Sequence, residues 1–394
     1  MSWKRVNLRR VCNIQSGGTP SRSISKFWSG NIPWAKISDI DKSNGLLTKT
    51  EEAISKEGLK AIRGRLFAAG TLLFAMYGSV GKTAFTDIEL STNQAILGIT
   101  PIKKNIIDLR FLQYWFVGQL RNFQKDARGV TQKNLSATYL RDLEIPLPPL
   151  PEQKRIAAIL DKADGIRKKR EEALKLADSF LRATFLEMFG DTVTNPKGWE
   201  VKSLLKLTDK IGSGATPRGG KSAYISQGIS LIRSLNVHDD KFIKKNLAFI
   251  TNEQADALAN VVVKKSDVLL NITGASVCRS AVVLQDILPA RVNQHVCIIR
   301  PYKSRLCSTY LLHCLISNNY KKKLLSLAGA GGATREALTK KQVENLKIPI
   351  PPIELQNKFA EIETRIKNIK TANSNFSEQP LFEVLTQLAF RGEL

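Results

Sequence analysis

Gly78-Ser79-Val80-Gly81-Lys82-Thr83 ends as a phosphate-binding loop ends, with glycine, lysine and a hydroxyl in a row. Such a loop holds phosphates on backbone amides that its glycines leave open. It needs a further glycine where this chain has Met76. A second stretch, Val277-Cys278-Arg279-Ser280, lies 197 residues beyond Val80 and has neither glycine nor lysine in those places. Nucleotide binding is rejected on these grounds. What the two stretches keep is a hydroxyl and a cation, Ser79 with Lys82 and Ser276 with Arg279. That pair suits a grip on a nucleic-acid backbone, and equally a solvated turn.

Other cations recur at the same spacing. Lys36 meets Arg233, each after a short apolar run, and Thr19-Pro20 meets Thr216-Pro217, with Arg22 and Arg218 close by. Arginine and lysine read guanine edges or pair phosphates, which makes these residues candidate DNA contacts, and the alternative for Lys36 and Arg233 is a pair with a nearby carboxylate. Asn93-Gln94 and Asn293-Gln294 could read adenine, but their repetition favours a structural hydrogen-bonding role. Two domains that read different bases must differ where they read. Base readers are therefore expected in the diverged loops 21–31, 41–65, 218–228 and 238–260.

The search for catalytic chemistry is negative. An adenine methyltransferase needs Asn or Asp, then Pro-Pro, then an aromatic. The Pro-Pro pairs here are flanked by Leu147 and Leu150, and by Ile350 and Ile353. Asp239-Asp240-Lys241 resembles the tail of a nuclease metal site, yet no Pro-Asp partner exists, and a solvated turn is the better reading. His238, His295 and His313 are too few and scattered for a triad or a metal cluster, and no cofactor or metal is expected. Five cysteines without a Cys-x-x-Cys pair suit a reducing, cytoplasmic setting. The opening Met1–Arg10 lacks the apolar core of a secretory signal, and no apolar run has membrane-spanning length.

The net charge is +25. Residues 1–150 carry 22 basic against 11 acidic side chains, and 191–350 carry 24 against 11. Residues 151–190 and 351–394 are nearly neutral, with 9 against 7 and 5 against 6. Two long basic segments thus alternate with two short neutral ones, a distribution that attracts polyanions to the long segments.

These candidates sit on a chain written twice. Ile14-Gln15-Ser16-Gly17-Gly18-Thr19-Pro20 returns as Ile211-Gly212-Ser213-Gly214-Ala215-Thr216-Pro217, with five of the seven residues identical. The shift of 197 grows to 200 at Asn93/Asn293 and to 203 at Ile145–Pro149/Ile348–Pro352, the order that a tandem duplication leaves. Each half opens as a mixed domain. Thr71–Met76 and Val261–Ile272 read as strands, and Leu109–Phe123 and Thr309–Leu325 as helices. A proline-rich joint follows, and then a long helix. Ile156, Ile159, Ala163, Ile166 and Arg170 step by three and four as a coiled-coil seam does, and so do Phe359, Ile362, Ile366, Ile369 and Asn373. A pseudo-two-fold axis would make the two helices antiparallel and bring Arg170 to Asn373. The other outcome is that each seam packs on its own domain or on another chain. Pro380 should break the second helix. The expected domains are 1–150, 151–190, 191–350 and 351–394, an α+β chain with two similar mixed domains separated by two long antiparallel helices.

With these marks the chain resembles the specificity subunits of type I restriction–modification systems. The resemblance spans essentially the whole chain. It is strongest at Pro146–Gln153 followed by Ile156–Asp161, at Phe185–Asp191, at Ser16–Pro20 and at the ending Ala389–Leu394. The second joint departs from the pattern, with Ile353–Asn357 where the first has Leu150–Lys154. The resemblance implies two target-recognition domains, each binding half of a split site on double-stranded DNA. It also implies spacer helices that dock two methyltransferase subunits, and restriction/translocase subunits in the full complex. The subunit itself would be non-catalytic. A stand-alone sequence-specific DNA-binding protein and a self-sufficient DNA modification enzyme are the alternatives.

Overall fold

The computed structural model describes residues 3–127, 134–329, 336–374 and 381–394. It divides into two units, Met1–Glu172 with Asn375–Leu394, and Ala173–Ser374. In the first unit a five-stranded sheet runs in the order Cys12–Ser16, Ile96–Pro101, Leu72–Ala75, Thr83–Thr86, Leu46–Leu47. A three-stranded sheet runs Glu52–Ile54, Ile32–Ala35, Ser91–Thr92. The second unit repeats both. Its larger sheet runs Thr208–Ser213, Val296–Pro301, Val268–Asn271, Ser280–Val282, and its smaller one Ala248–Ile250, Ile229–Ile232, Ala290–Val292. Even the mixed pairing recurs. Ile32–Ala35 is antiparallel to one neighbour and parallel to the other, as is Ile229–Ile232. The chain is a mixed α+β protein with two like domains, as its duplication predicts.

Where the strand and helix readings were too long, the structure gives the reason. Val261–Ile272 is a strand only over Val268–Asn271, because Ser266 adopts a left-handed φ of 70° in the turn before it. The helix read over Leu109–Phe123 is two, α1 (Leu109–Gly118) and Leu120–Asp126, broken at Gln119. Its counterpart breaks at Ser317, between α3 (Ser308–Ile316) and Asn318–Gly329. A Cβ on Gly118 would sit 3.1 Å from the Thr386 methyl, so a side chain there would need Thr386 to give by a few tenths of an ångström.

Between these helices in the chain comes α2 (Leu150–Phe189), with its one proline, Pro151, in the first turn. Gly190, at φ 75°, ends it and donates to Leu186 O. The second helical region is α4 (Ile353–Ser374) and α5 (Leu381–Arg391). Pro380, expected to break it, lies outside the described residues, as does the Asn373 side chain that was expected to meet Arg170. In the second unit Phe359 of α4 packs on Phe185 and Phe189 of α2, and Lys370 pairs with Asp178, so these stretches run antiparallel. In the first unit Arg167 of α2 covers the Phe382 ring of α5, and Arg155 donates to Leu394 O, again antiparallel.

The seam is turned from the expected one. Ile156, Ala163 and Phe359 are buried, but Ile166 and Ile369 are 45% and 61% exposed, and Ile159, Ile362 and Ile366 are half-buried. The buried positions are Gln153, Ile156, Ala157, Leu160 and Ala163 in the first half of α2, Leu181, Phe185 and Phe189 in its second half, and Gln356, Phe359 and Glu363 on α4. Each helix start answers to its own domain as well as to a second helix. Ile156 and Leu160 share a core with Phe111 and Tyr114 of α1, and Phe359 touches His313 of α3. Burying a phenylalanine such as Phe359 completely is worth about 1.5–3 kcal/mol.

Candidate nucleic-acid interface

The Gly78–Lys82 loop joins two antiparallel strands, Leu72–Ala75 and Thr83–Thr86. A phosphate-binding loop feeds a helix, so this one has a different geometry. Its glycine is a turn residue. Gly81 (φ 84°) donates to Ala75 O, and Cys278 (φ 68°) donates to Asn271 O in the same place of the second unit. The polar ends of the two loops are held differently. Asp41 accepts from Ser79 Oγ at 3.0 Å and pairs with Lys82 at 2.5 Å. Ser276 Oγ accepts from Asn271 Nδ2 at 3.2 Å, while Arg279 lies 3.4 Å from His238 Nδ1.

The repeated opening motif is scaffold. A Cβ on Gly17 would lie 2.2 Å from Thr92 O, and one on Gly214 1.8 Å from Val292 O. Gly17→Ala and Gly214→Ala should each cost about 1–3 kcal/mol of stability, read as a lower denaturation midpoint. Thr19 donates its hydroxyl to Gln94, and Thr216 to Gln294. Asn93 and Asn293 each accept from the amide two residues on, at 3.1 Å. Arg65 and Trp34 donate to Gly17 O and Gly18 O, which fixes the strand of backbone from which Arg22 emerges.

Lys36 and Arg233 share a backbone setting. The Asp39 carboxylate accepts from Lys36 N at 2.8 Å, and Asn236 Oδ1 from Arg233 N at 3.1 Å. Their side chains differ. Lys36 is clasped by Glu52 at 2.9 Å and Glu51 at 3.0 Å, and these bonds, Glu52 first, raise its pKa. Bonds from Lys42 and Lys36 hold Glu51 down at about 2. Arg233 donates to Asn246 O and lies 5.2 Å from the Tyr224 ring centre. Arg22 pairs with Glu52 at 2.5 Å, and its guanidinium carbon stands 3.6 Å over the Trp28 ring. Arg22, Lys36 and Lys42 are thus linked through the Glu51–Glu52 pair into one charged tract, while Lys82 pairs separately with Asp41. Arg218 is exposed. The partners Trp28, Asp41, Glu51, Glu52, Tyr224 and Asn246 were not singled out from the sequence. All of them fall in the diverged loops.

Asp239-Asp240, read as a solvated turn, is instead a bolt. Asp239 pairs with Lys321 and accepts from Ser280 N, and Asp240 pairs with Lys367 of α4 at 2.7 Å. Asp240 (φ 52°) has a counterpart in Asn44 (φ 51°), whose carbonyl accepts from Lys168 of α2 at 3.4 Å. In both units a lysine of the long helix reaches the left-handed residue of this loop. Asp240, His313 and Glu363 offer ligand atoms within 4.8 Å of one another. The Lys367 ammonium, 2.7 Å from Asp240 and 3.0 Å from Glu363, stands where a cation would be held.

Among the described residues no helix is long and apolar enough to cross a membrane. The family model for the type I restriction modification DNA specificity domain matches residues 1–176 and 196–378. The MjaIX specificity subunit of Methanocaldococcus jannaschii is 26% identical, over 91% of this chain and 85% of its own length. The EcoBI specificity subunit of Escherichia coli is 24% identical, over 100% and 86%. The crystal structure of the type I restriction–modification S subunit from M. genitalium matches with a TM-score of 0.62 at 14% identity, covering 99% of this chain and 96% of that one. A chain from a study of complex assembly and conformational transition in a type I system matches at 0.57 and 20%, covering 100% and 98%. Doubled domains, doubled joints and the family match over both halves place this chain among the type I restriction–modification specificity subunits, the non-catalytic, DNA-recognising members of those systems.

Proposed function

We propose that this chain reads a split DNA target, with residues 1–150 and 191–350 each taking one half and the helical regions 151–190 and 351–394 fixing the gap. The observation that carries this is the conserved scaffold with unlike polar ends in the two units: Thr19/Thr216 and Gly17/Gly214 are held alike, while Lys36 and Arg233 are not. The excess charge of the two long segments supplies affinity, and contacts to base edges supply the choice of sequence. Thr19, Arg22, Lys36, Ser79, Lys82, Thr216, Arg218, Arg233, Ser276 and Arg279 are the proposed contact set. Thr19 and Thr216 serve it through their turns. The partners are double-stranded DNA, two methyltransferase subunits on the helical regions, and restriction/translocase subunits in the full complex. The likeness to a chain studied for assembly of a type I system supports that reading. The chemistry then belongs to the partners, and this chain works in the cytoplasm where they meet host DNA.

Single-molecule sequencing of host DNA for N6-methyladenine, with and without the gene, tests it. The expected result is loss of methylation at one motif of two short halves around a fixed gap. Unchanged methylation in a strain that expresses the methyltransferase subunits would overturn it.

A further inference from the structure

Strand register allows the two units to be compared residue by residue. Trp34 faces Glu52 on one side and Ser91 on the other, and Leu231 faces Ala248 and Arg291 in the same two pairings. Backbone and register are kept, and so are the neighbouring helix caps Ser55 and Thr251. The side chains at this corner are not. One unit has a carboxylate and a tryptophan where the other has Ala248 and Leu231. Two domains built on one scaffold to bind different half-sites must change at the reading positions and little elsewhere.

We infer that Arg22 reads a guanine edge in the DNA half-site bound by the first unit, with Trp28 and Glu52 as its positioning residues. This deepens the half-site reading above and rests on it. The stack on Trp28 sets the plane of the guanidinium. The pair between Nη1 and Glu52 sets its rotation within that plane. Among the described residues Nε and Nη2 have no protein partner, and the side chain is 56% exposed. A donor edge is thus held open in a fixed direction. Guanine presents two adjacent acceptors, N7 and O6, in the major groove, and no other base does. A phosphate also accepts such an edge, but the Glu52 carboxylate already pairs with this guanidinium and takes up part of its charge, which disfavours a second anion and not a neutral base. The second unit has no carboxylate at the Glu52 position, and its arginine over an aromatic, Arg233 over Tyr224, comes from a different place in the chain. The same base is therefore not read at the matching place of the other half-site.

The test is the methylated motif in cells that carry this subunit with its methyltransferase subunits. With Arg22→Ala, discrimination at one G·C position of one half should fall roughly 5- to 150-fold, the other half remaining as in the parent. The intact half shows that the variant is folded. Glu52→Gln and Trp28→Leu should relax the same position less. Arg22→Lys, which keeps the charge but loses the fork, should also relax it. Several results would overturn the inference: a parent motif with no G·C pair in one half, an unchanged motif in Arg22→Ala, or an even loss of methylation at all sites that Arg22→Lys restores. The last would mark a phosphate contact. A parent that yields no split motif refutes the half-site reading itself, which is a different outcome.

Discussion

Glu363→Ala should destabilise the second unit by about 3–5 kcal/mol, the cost of breaking a buried ion pair by removing one partner. Glu363 is 5% exposed and accepts from His313 Nε2 at 2.7 Å, with the Lys367 ammonium 3.0 Å away. Alanine leaves the buried imidazole without its acceptor and Lys367 with one carboxylate, Asp240, instead of two. The pH dependence follows from the same contacts. Burial pushes the Glu363 carboxyl up, but the His313 hydrogen bond and the Lys367 charge outweigh it and hold its pKa below the ordinary value. A carboxyl with a lowered folded pKa stabilises fully above its unfolded pKa, and that stability is lost as pH falls through the folded one. Burial lowers the Lys367 pKa, but Asp240 and Glu363 raise it further, so its contribution is lost on the alkaline side. Denaturation followed by Trp199, the one tryptophan of Ala173–Ser374, reads the second unit. The parent should lose stability in acid below the usual glutamate range, and Glu363→Gln should lose less there. An alanine variant as stable as the parent would show that the cluster contributes nothing.

The sequence exposes what is repeated and hides what is paired. The shift of 197 to 203 residues carries the two-unit fold and both joints, because duplication leaves scaffold residues in order. Gly17 and Gly214 recur because a carbonyl lies where a side chain would go. The face of a long helix is less legible. Ile159, Ile362 and Ile369 fit a 3.5-residue step, yet Leu160 and Glu363 are the buried neighbours, since the helices must also cover α1 and α3. A buried glutamate is not a residue that hydropathy assigns to a seam. Its partner His313 is 50 residues away, so the pair requires the fold. The charged tract is hidden for the same reason. Lys36 reads from the sequence as a base reader or as the partner of a phosphate or nearby carboxylate, but its clasp by Glu51 and Glu52, and the pair of Arg22 with Glu52, depend on the pairing of Ile32–Ala35 with Glu52–Ile54.

Gln356→Ala should cost about 3–5 kcal/mol in the second unit, and Gln153→Ala as much in the first, since buried donors and acceptors left without partners cost about 1–3 kcal/mol each. Both glutamines are fully buried, and they make the same three bonds. Gln153 Oε1 accepts from Asp108 N at 2.8 Å, and its Nε2 donates to Pro148 O at 2.8 Å and Ile106 O at 3.3 Å. Gln356 repeats this with Cys307 N at 2.8 Å, Pro351 O at 2.8 Å and Arg305 O at 3.2 Å. Asp108 and Cys307 are the N-cap residues of α1 and α3. One amide therefore ties the first turn of a long helix, the proline joint before it and the start of a domain helix. Prolines hold the joint's φ, and the glutamine holds its orientation. Its retention in both halves, where reading side chains differ, is expected of a part that aims each recognition domain rather than one that chooses bases. Trp199 reports the loss for Gln356, and Trp28 and Trp34 report it for Gln153. In variants that still methylate, the two halves of the motif should be kept while the tolerated gap widens. A changed half with an unchanged gap would place the glutamine among the readers instead.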